Sequence, residues 1–227
     1  MLAAFIQIAE SKITNYKNVN LLTHDIYYYI NESIKRFVDQ NFLQFEQSQR
    51  ITDNLSPLVV KEVIIPTSHT PPSYNTDWLI DRIELNNLSK PFLYLLNQKV
   101  EMEVARVGNY LYKITAGSRV AATLPQPYTD FSTLTRRLRT SQHDDIHTML
   151  RDPHNKSTSE YPLATVSNTG IDVYTDKTFI AKQVILDYLH QPTEVNTDKN
   201  SELPEYTHRE IVEMAVNMFI INQTNEE

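Results

Sequence analysis

Residues 2–14 place Leu2, Phe5, Ile6, Ala9 and Ile13 on one side of a 3.6-residue period, which predicts a short amphipathic helix. Three asparagines between Asn15 and Asn20 break that period. A second stripe follows in Ile26, Ile30, Ile34, Phe37, Asn41 and Phe45, flanked by Tyr27, Tyr28 and Tyr29. It predicts a long helix over about 24–45, with Thr23 as N-cap, Asp25 in the first turn, and a further helix running on through Leu55. Pro57 ends it.

The period then changes from 3.6 to 2. Leu58–Pro66 is β-branched and bounded by prolines, so it reads as a strand, and Thr67–Asn75 as a polar loop. Trp78–Leu85 alternates like a strand. Val100, Met102 and Val104 alternate with Glu101 and Glu103, and Tyr110–Ala116 alternates in turn. Gly108-Asn109 between them is a turn signal, so Phe92–Ala116 is expected to form a long β-hairpin. Leu134 and Leu138 are spaced for a turn or two of helix, and Arg119–Leu124 for a strand. A short helix around Ile146, Met149 and Leu150 stops near Pro153, with Asp144 and Asp145 expected in its first turn. Strands are expected at Leu163–Val166, Ile171–Tyr174 and Phe179–Tyr188. Pro204, a capping box at Thr207 and Glu210, and the period Ile211, Val212, Ala215, Met218, Phe219, Asn222 mark a last helix.

Helices come first, then strands with one short helix, then a terminal helix. A parallel sheet would interleave the two. The class is therefore α+β: N-terminal helices and a C-terminal helix packed with a mainly antiparallel β-sheet and a long β-hairpin. The chain divides at 1–57, 58–127, 128–192 and 193–227, taken together as one compact domain.

Composition narrows the chemistry. The 227 residues carry a net charge of −7 and include no cysteine and three glycines. Disulfides, thiolate nucleophiles and cysteine-ligated metals are excluded, and no glycine-rich phosphate loop can form. The acidic balance argues against wrapping nucleic acid, because phosphate affinity needs cationic side chains. No apolar run is long enough to span a membrane, and no basic leader region precedes the first helix. Charge is uneven. Arg136, Arg137 and Arg139 form a small basic cluster, whereas residues 194–227 hold eight acids against Lys199 and Arg209. Opposite blocks on neighbouring subunits would attract and set orientation, and a phosphate contact is the other use for the arginines.

Two constellations could carry catalysis. His143 and His147 have i,i+4 spacing and would face one metal on a helix, but Asp144 stands where a zinc protease has glutamate, and no third ligand is evident. Glu101 and Glu103 share one strand face, as an acid–base pair or as a solvated surface. No Gly-x-Ser-x-Gly elbow is present.

Leu22-Thr23-His24-Asp25-Ile26 with Asn31 and Phe37-Val38 leads into Phe45–Arg50, Asp53-Asn54-Leu55 and Leu58-Val59. Later come Asp144-Asp145-Ile146 through Leu150–Pro153, Gly170–Tyr174, Asp187-Tyr188-Leu189 with Pro192, and Leu203-Pro204-Glu205 with His208–Val216. In order and spacing this resembles the head-to-tail connector (ring or adaptor) proteins of crAss-like tailed bacteriophages. The resemblance covers both ends and the second half of the chain. It implies a virion protein with no enzymatic activity, cofactor or metal, and with no membrane partner. It implies a ring, of about twelve copies, between portal and tail at the phage neck, touching the portal and neighbouring ring or tail proteins. Phage DNA would pass through the centre without sequence-specific binding, and a ring of that size would carry roughly −84, which keeps DNA from adhering to its wall. Arg136, Arg137, Arg139, Tyr110 and Tyr112 are the expected subunit-contact residues. A tail or stopper protein of the same virion and a histidine-dependent metal hydrolase are the alternatives.

Overall fold

A computed structural model describes all residues except 13–21, 46, 71–77, 105–111, 116–117, 122–131, 168, 177 and 225–227. The helices are α1 (Leu2–Lys12), α2 (Thr23–Phe42), α3 (Gln49–Leu55), α4 (Ile146–Arg151) and α5 (His208–Thr224). The strands are β1 (Val59–Pro66), β2 (Ser68–Thr70), β3 (Leu79–Glu84), β4 (Phe92–Val104), β5 (Tyr112–Thr115), β6 (Ser118–Ala121), β7 (Ser132–Arg137), β8 (Arg139–Ser141), β9 (Leu163–Val166), β10 (Gly170–Thr175) and β11 (Phe179–His190). The α+β class holds. The chain divides into two compact units, Met1–Val59 with His190–Glu227, and Val60–Leu189.

The first unit is helical. α5 packs on both α1 and α2, and α3 folds against α2. The apolar stripe of α2 is its buried face: Ile26, Ile30, Ile34 and Phe37 are all shielded from water. Phe219 of α5 is fully buried and meets the rings of Phe5 at 6.2 Å and Tyr29 at 5.5 Å, so one aromatic side chain joins all three helices. Sequence separation of nearly the whole chain is closed by Lys12 Nζ donating to Asn217 Oδ1 at 2.9 Å. The N-cap of α2 is Leu22, not Thr23. Asp25 reaches back one turn to accept from the Leu22 amide at 3.2 Å, which moves the helix start one residue earlier. At α5, Thr207 lies in a preceding 3₁₀ turn and its hydroxyl donates to the Pro204 carbonyl at 2.7 Å.

The second unit is built on two sheets. One has the order β1-β11-β4-β7 and the other β2-β3-β10-β9-β8. Their inner faces bury Val100, Met102, Val104, Ile83, Ile171, Val173, Phe179, Val184, Leu186 and Tyr188 in one core. A single residue, Thr67, separates β1 from β2, and a single residue, Leu138, separates β7 from β8. At both flanks, therefore, one run of chain bends out of the first sheet into the second, which is how a sandwich closes towards a barrel. Both corners are bonded. The Thr67 amide donates to the Lys182 carbonyl at 3.1 Å and its hydroxyl to the Ala181 carbonyl at 2.7 Å. The Leu138 amide donates to the Gln98 carbonyl at 3.1 Å while its side chain is buried.

Along β11 the inward residues are Ala181 and then Val184, so Lys182 and Gln183 break the period of two. Such a slip bends a strand, and here it sits opposite the Thr67 corner. At Gly170 a Cβ would lie 2.5 Å from the Ile83 carbonyl oxygen, so this close approach of β10 to β3 requires glycine. The buried carboxyl of Asp81 on β3 joins the sheets. Its Oδ2 accepts from the Thr175 hydroxyl of β10 at 3.1 Å and from the Ala181 amide of β11 at 3.0 Å.

Three expectations are corrected. Among the described residues β4 and β5 do not pair with each other as the expected long hairpin. β4 lies between β11 and β7, so both its edges are used, and β5 pairs with β6 across a two-residue connection; Gly108-Asn109 lies outside the described residues. Residues 132–137 are strand, not helix, because pairing with β4 and the threonine-rich pattern outweigh the spacing of Leu134 and Leu138. Part of the expected 67–75 loop, Ser68–Thr70, pairs with β3. The sheets are mainly antiparallel as expected, with β8 and β9 parallel.

Replacing Asp81 with alanine removes the buried acceptor of the Ala181 amide and the nearer of the two acceptors of the Thr175 hydroxyl. The expected loss is about 3 kcal/mol of unfolding free energy, read by urea denaturation; a loss within experimental error contradicts the role assigned to this group.

Candidate functional site

The basic cluster is split by the Leu138 corner. Arg136 and Arg137 end β7, both exposed, while Arg139 begins β8 and is half-buried. The β4–β7 register sets Arg137 directly opposite Lys99 and Arg136 opposite Val100. Lys99 and Arg137 thus form a like-charge cross-strand pair, an arrangement that costs stability unless an anion meets it. The acids farther along the same strand are engaged with β11: Glu101 accepts from Gln183 Nε2 at 2.9 Å and Glu103 pairs with Lys182 Nζ at 3.1 Å. Among the described residues no ion pair is made by Lys99, Arg136 or Arg137, and Arg136 donates only to its neighbour's carbonyl, Thr135 O.

Arg139 does something different. Its Nη2 donates to the carbonyls of Asn155 at 2.9 Å, Lys156 at 3.2 Å and Tyr161 at 3.1 Å, and the guanidinium lies 5.9 Å from the Tyr161 ring centre. It gathers the loop after α4 onto the sheet. Ser157 pins the same loop from beneath: fully buried, it donates to the Tyr174 carbonyl and accepts from the Leu163 amide at 3.0 Å. Asp152 caps the loop's start by accepting from the His154 amide at 2.9 Å and Asn155 Nδ2 at 2.6 Å. These bonds, the His154 amide first, hold the Asp152 carboxyl below its ordinary pKa.

Of the other expected contact residues, Tyr110 lies outside the described residues, and Tyr112 opens β5, where the backbone alone is described. His143 precedes α4 and its field reaches Asp172 on β10, while His147 lies within α4. Asp144 and Asp145 come before the helix, which starts at Ile146; Asp145 is its N-cap residue but makes no side-chain capping bond. Burial raises the Asp172 carboxyl above its ordinary pKa, opposed by Arg82, whose Nη1 lies 3.2 Å from it. Among the described residues no three His, Asp or Glu side chains converge as metal ligands. Glu101 and Glu103 share a strand face, and each turns to its own partner on β11.

Lys99 escapes a reading of the sequence, because only the β4–β7 register brings it beside Arg137. The helical unit also carries a cleft of about 550 Å³ beside α2, with Tyr27, Tyr28 and Lys35 on one side and Glu194 and Thr197 on the other. Lys35 is engaged there with Glu32 at 2.8 Å, a hydrogen bond that raises the ammonium pKa. No described helix is long and apolar enough to cross a membrane. No protein-family model matches this chain, and no curated protein matches it.

Two outcomes follow for the loop. Arg139→Ala removes the donor to three carbonyls, of which that of Tyr161 keeps the Thr158 amide at 3.4 Å; it is expected to cost about 2 kcal/mol and to speed proteolysis within 152–161, and Arg139→Lys restores neither, because an ammonium lacks the reach and the flat face that the guanidinium lays beside the Tyr161 ring. Unchanged cleavage contradicts this. Because the Asp152 pKa is depressed on folding, its stabilisation is complete above the unfolded value of 3.8 and is lost as pH falls through the folded value. The stability gap between the parent chain and Asp152→Ala should therefore close on acidification; a gap that stays constant with pH contradicts the cap.

Proposed function

We propose that this chain is a non-enzymatic subunit of an oligomeric ring at the head-to-tail interface of a tailed phage, joining portal to tail around a channel for DNA. The observation that carries the reading is the ordered resemblance at both ends and in the second half of the chain. Several of those positions have scaffold jobs. Asp25 closes the start of α2. Asn31 brackets Val195, donating to its carbonyl at 3.1 Å and accepting from its amide at 2.8 Å. Gly170 admits the close approach of β3, and Asp172 pairs with Arg82. A protein whose work is to hold a shape would place its characteristic residues in such roles.

Two further features support it. The chain joins a helical unit with exposed Leu22, Leu43, Tyr206 and Ile221 to a strand unit with tightly bonded corners, so rigid surfaces stand ready for other proteins. Arg136 and Arg137 stand at the exposed end of β7, where a neighbour or a stacked ring could meet them.

Quantitative mass spectrometry of purified virions tests the proposal. The expected result is one copy of this chain per portal subunit, with reconstruction placing it at the neck. A hexameric copy number favours the tail-protein alternative. Absence from mature particles, or turnover of a small molecule by the purified chain, contradicts the proposal.

A further inference from the structure

A ring needs a heterologous contact: one patch on each subunit must meet a different patch on the next. The chain carries two surfaces of opposite charge suited to that. The first is the Lys99–Arg137 cross-strand pair, two exposed cations with no ion pair among the described residues. The second lies at the start of α5. There Tyr206 is 62% exposed, flanked by the exposed carboxylates Glu205 and Glu210. Arg209, beside them in the chain, pairs with Glu213 at 3.0 Å, whereas Glu205 and Glu210 make no ion pair among the described residues. An exposed tyrosine between unpaired acids offers a guanidinium both a ring face and a carboxylate.

Resting on the ring reading, we propose that Lys99 and Arg137 of one copy dock against Glu205, Tyr206 and Glu210 of the next. Nucleic acid is the other polyanion that a basic patch can meet. The acidic segment 194–227, with eight acids to two bases, favours a second copy of this chain instead. The two patches are different surfaces of the chain, so a contact that joins them from copy to copy is heterologous, the kind a ring requires. Its small size makes it a steering and orienting contact, and its strength falls with salt.

The test is sedimentation of the full chain at low and high salt, with duplex DNA binding measured in parallel. The parent chain is expected to self-associate at low salt. Lys99→Glu with Arg137→Glu, or Glu205→Lys with Glu210→Lys, should each weaken association at least tenfold, and Lys99→Gln with Arg137→Gln should give an intermediate loss. Mixing the two reversed chains should restore association, since alternating copies again present opposite charges. Restoration also shows that both variants fold. Association that is indifferent to every reversal overturns this contact and leaves the ring reading standing. A patch that binds duplex DNA while association is unaffected also overturns it. A parent chain that stays monomeric at low salt overturns the contact and the ring reading together.

Discussion

The carboxyl group of Asp81 receives the hydroxyl of one neighbouring strand and the backbone amide of another, and those strands belong to different sheets. Apolar packing pulls the two inner faces together, but packing is non-directional and does not choose how one sheet is offset against the other. Two hydrogen bonds to one buried oxygen do choose. They hold β3, β10 and the first residues of β11 at one point, and the Asx turn at Asp176, which accepts from the amide and hydroxyl of Thr178, prepares the chain to arrive there. The Thr67 corner lands on the same stretch of β11, at Ala181 and Lys182. Two bonded corners and one buried carboxyl make the sheets a single rigid body.

That rigidity is what gives the surface meaning. Arg137 and Lys99 are neighbours solely because β7 holds one register on β4, and β7 is held in turn by the Leu138 corner and by β8 on β9. Arg139, one residue past the corner, is drawn inward to three carbonyls, so three arginines close in sequence divide into two that face water and one that organises a loop. The helical unit reaches the same end by another route: a single ring, Phe219, packs against the first and second helices from the last. Both units thus hold their surfaces through a few named contacts.

The helices were legible because their signal is local. Ile26, Ile30, Ile34 and Phe37 mark a face at any distance from their partners. Strand positions were legible for the same reason at β1, β3, β9, β10 and β11, where β-branched runs are bounded by turn residues. Partnership was not. Gly108-Asn109 suggested a hairpin, yet β4 pairs with β7, a partner distant in the chain that a local turn signal does not identify. Residues 132–137 had helical spacing and became strand through the same pairing. Arg139 read as one of a surface cluster, because its three acceptors are backbone carbonyls, invisible in a residue pattern. Asp81 stood unremarked in WLIDRIEL, since alternation alone does not separate a solvated acid from one buried with two donors.

Native-state hydrogen exchange at the Ala181 amide tests the central claim most directly. If its bond to Asp81 fixes the two sheets as one body, that amide opens only when the strand unit unfolds, and its exchange free energy equals the global unfolding free energy of the unit. Exchange at Ala181 through a local opening, well below the value for Val173 or Leu186 in the same core, would contradict the account.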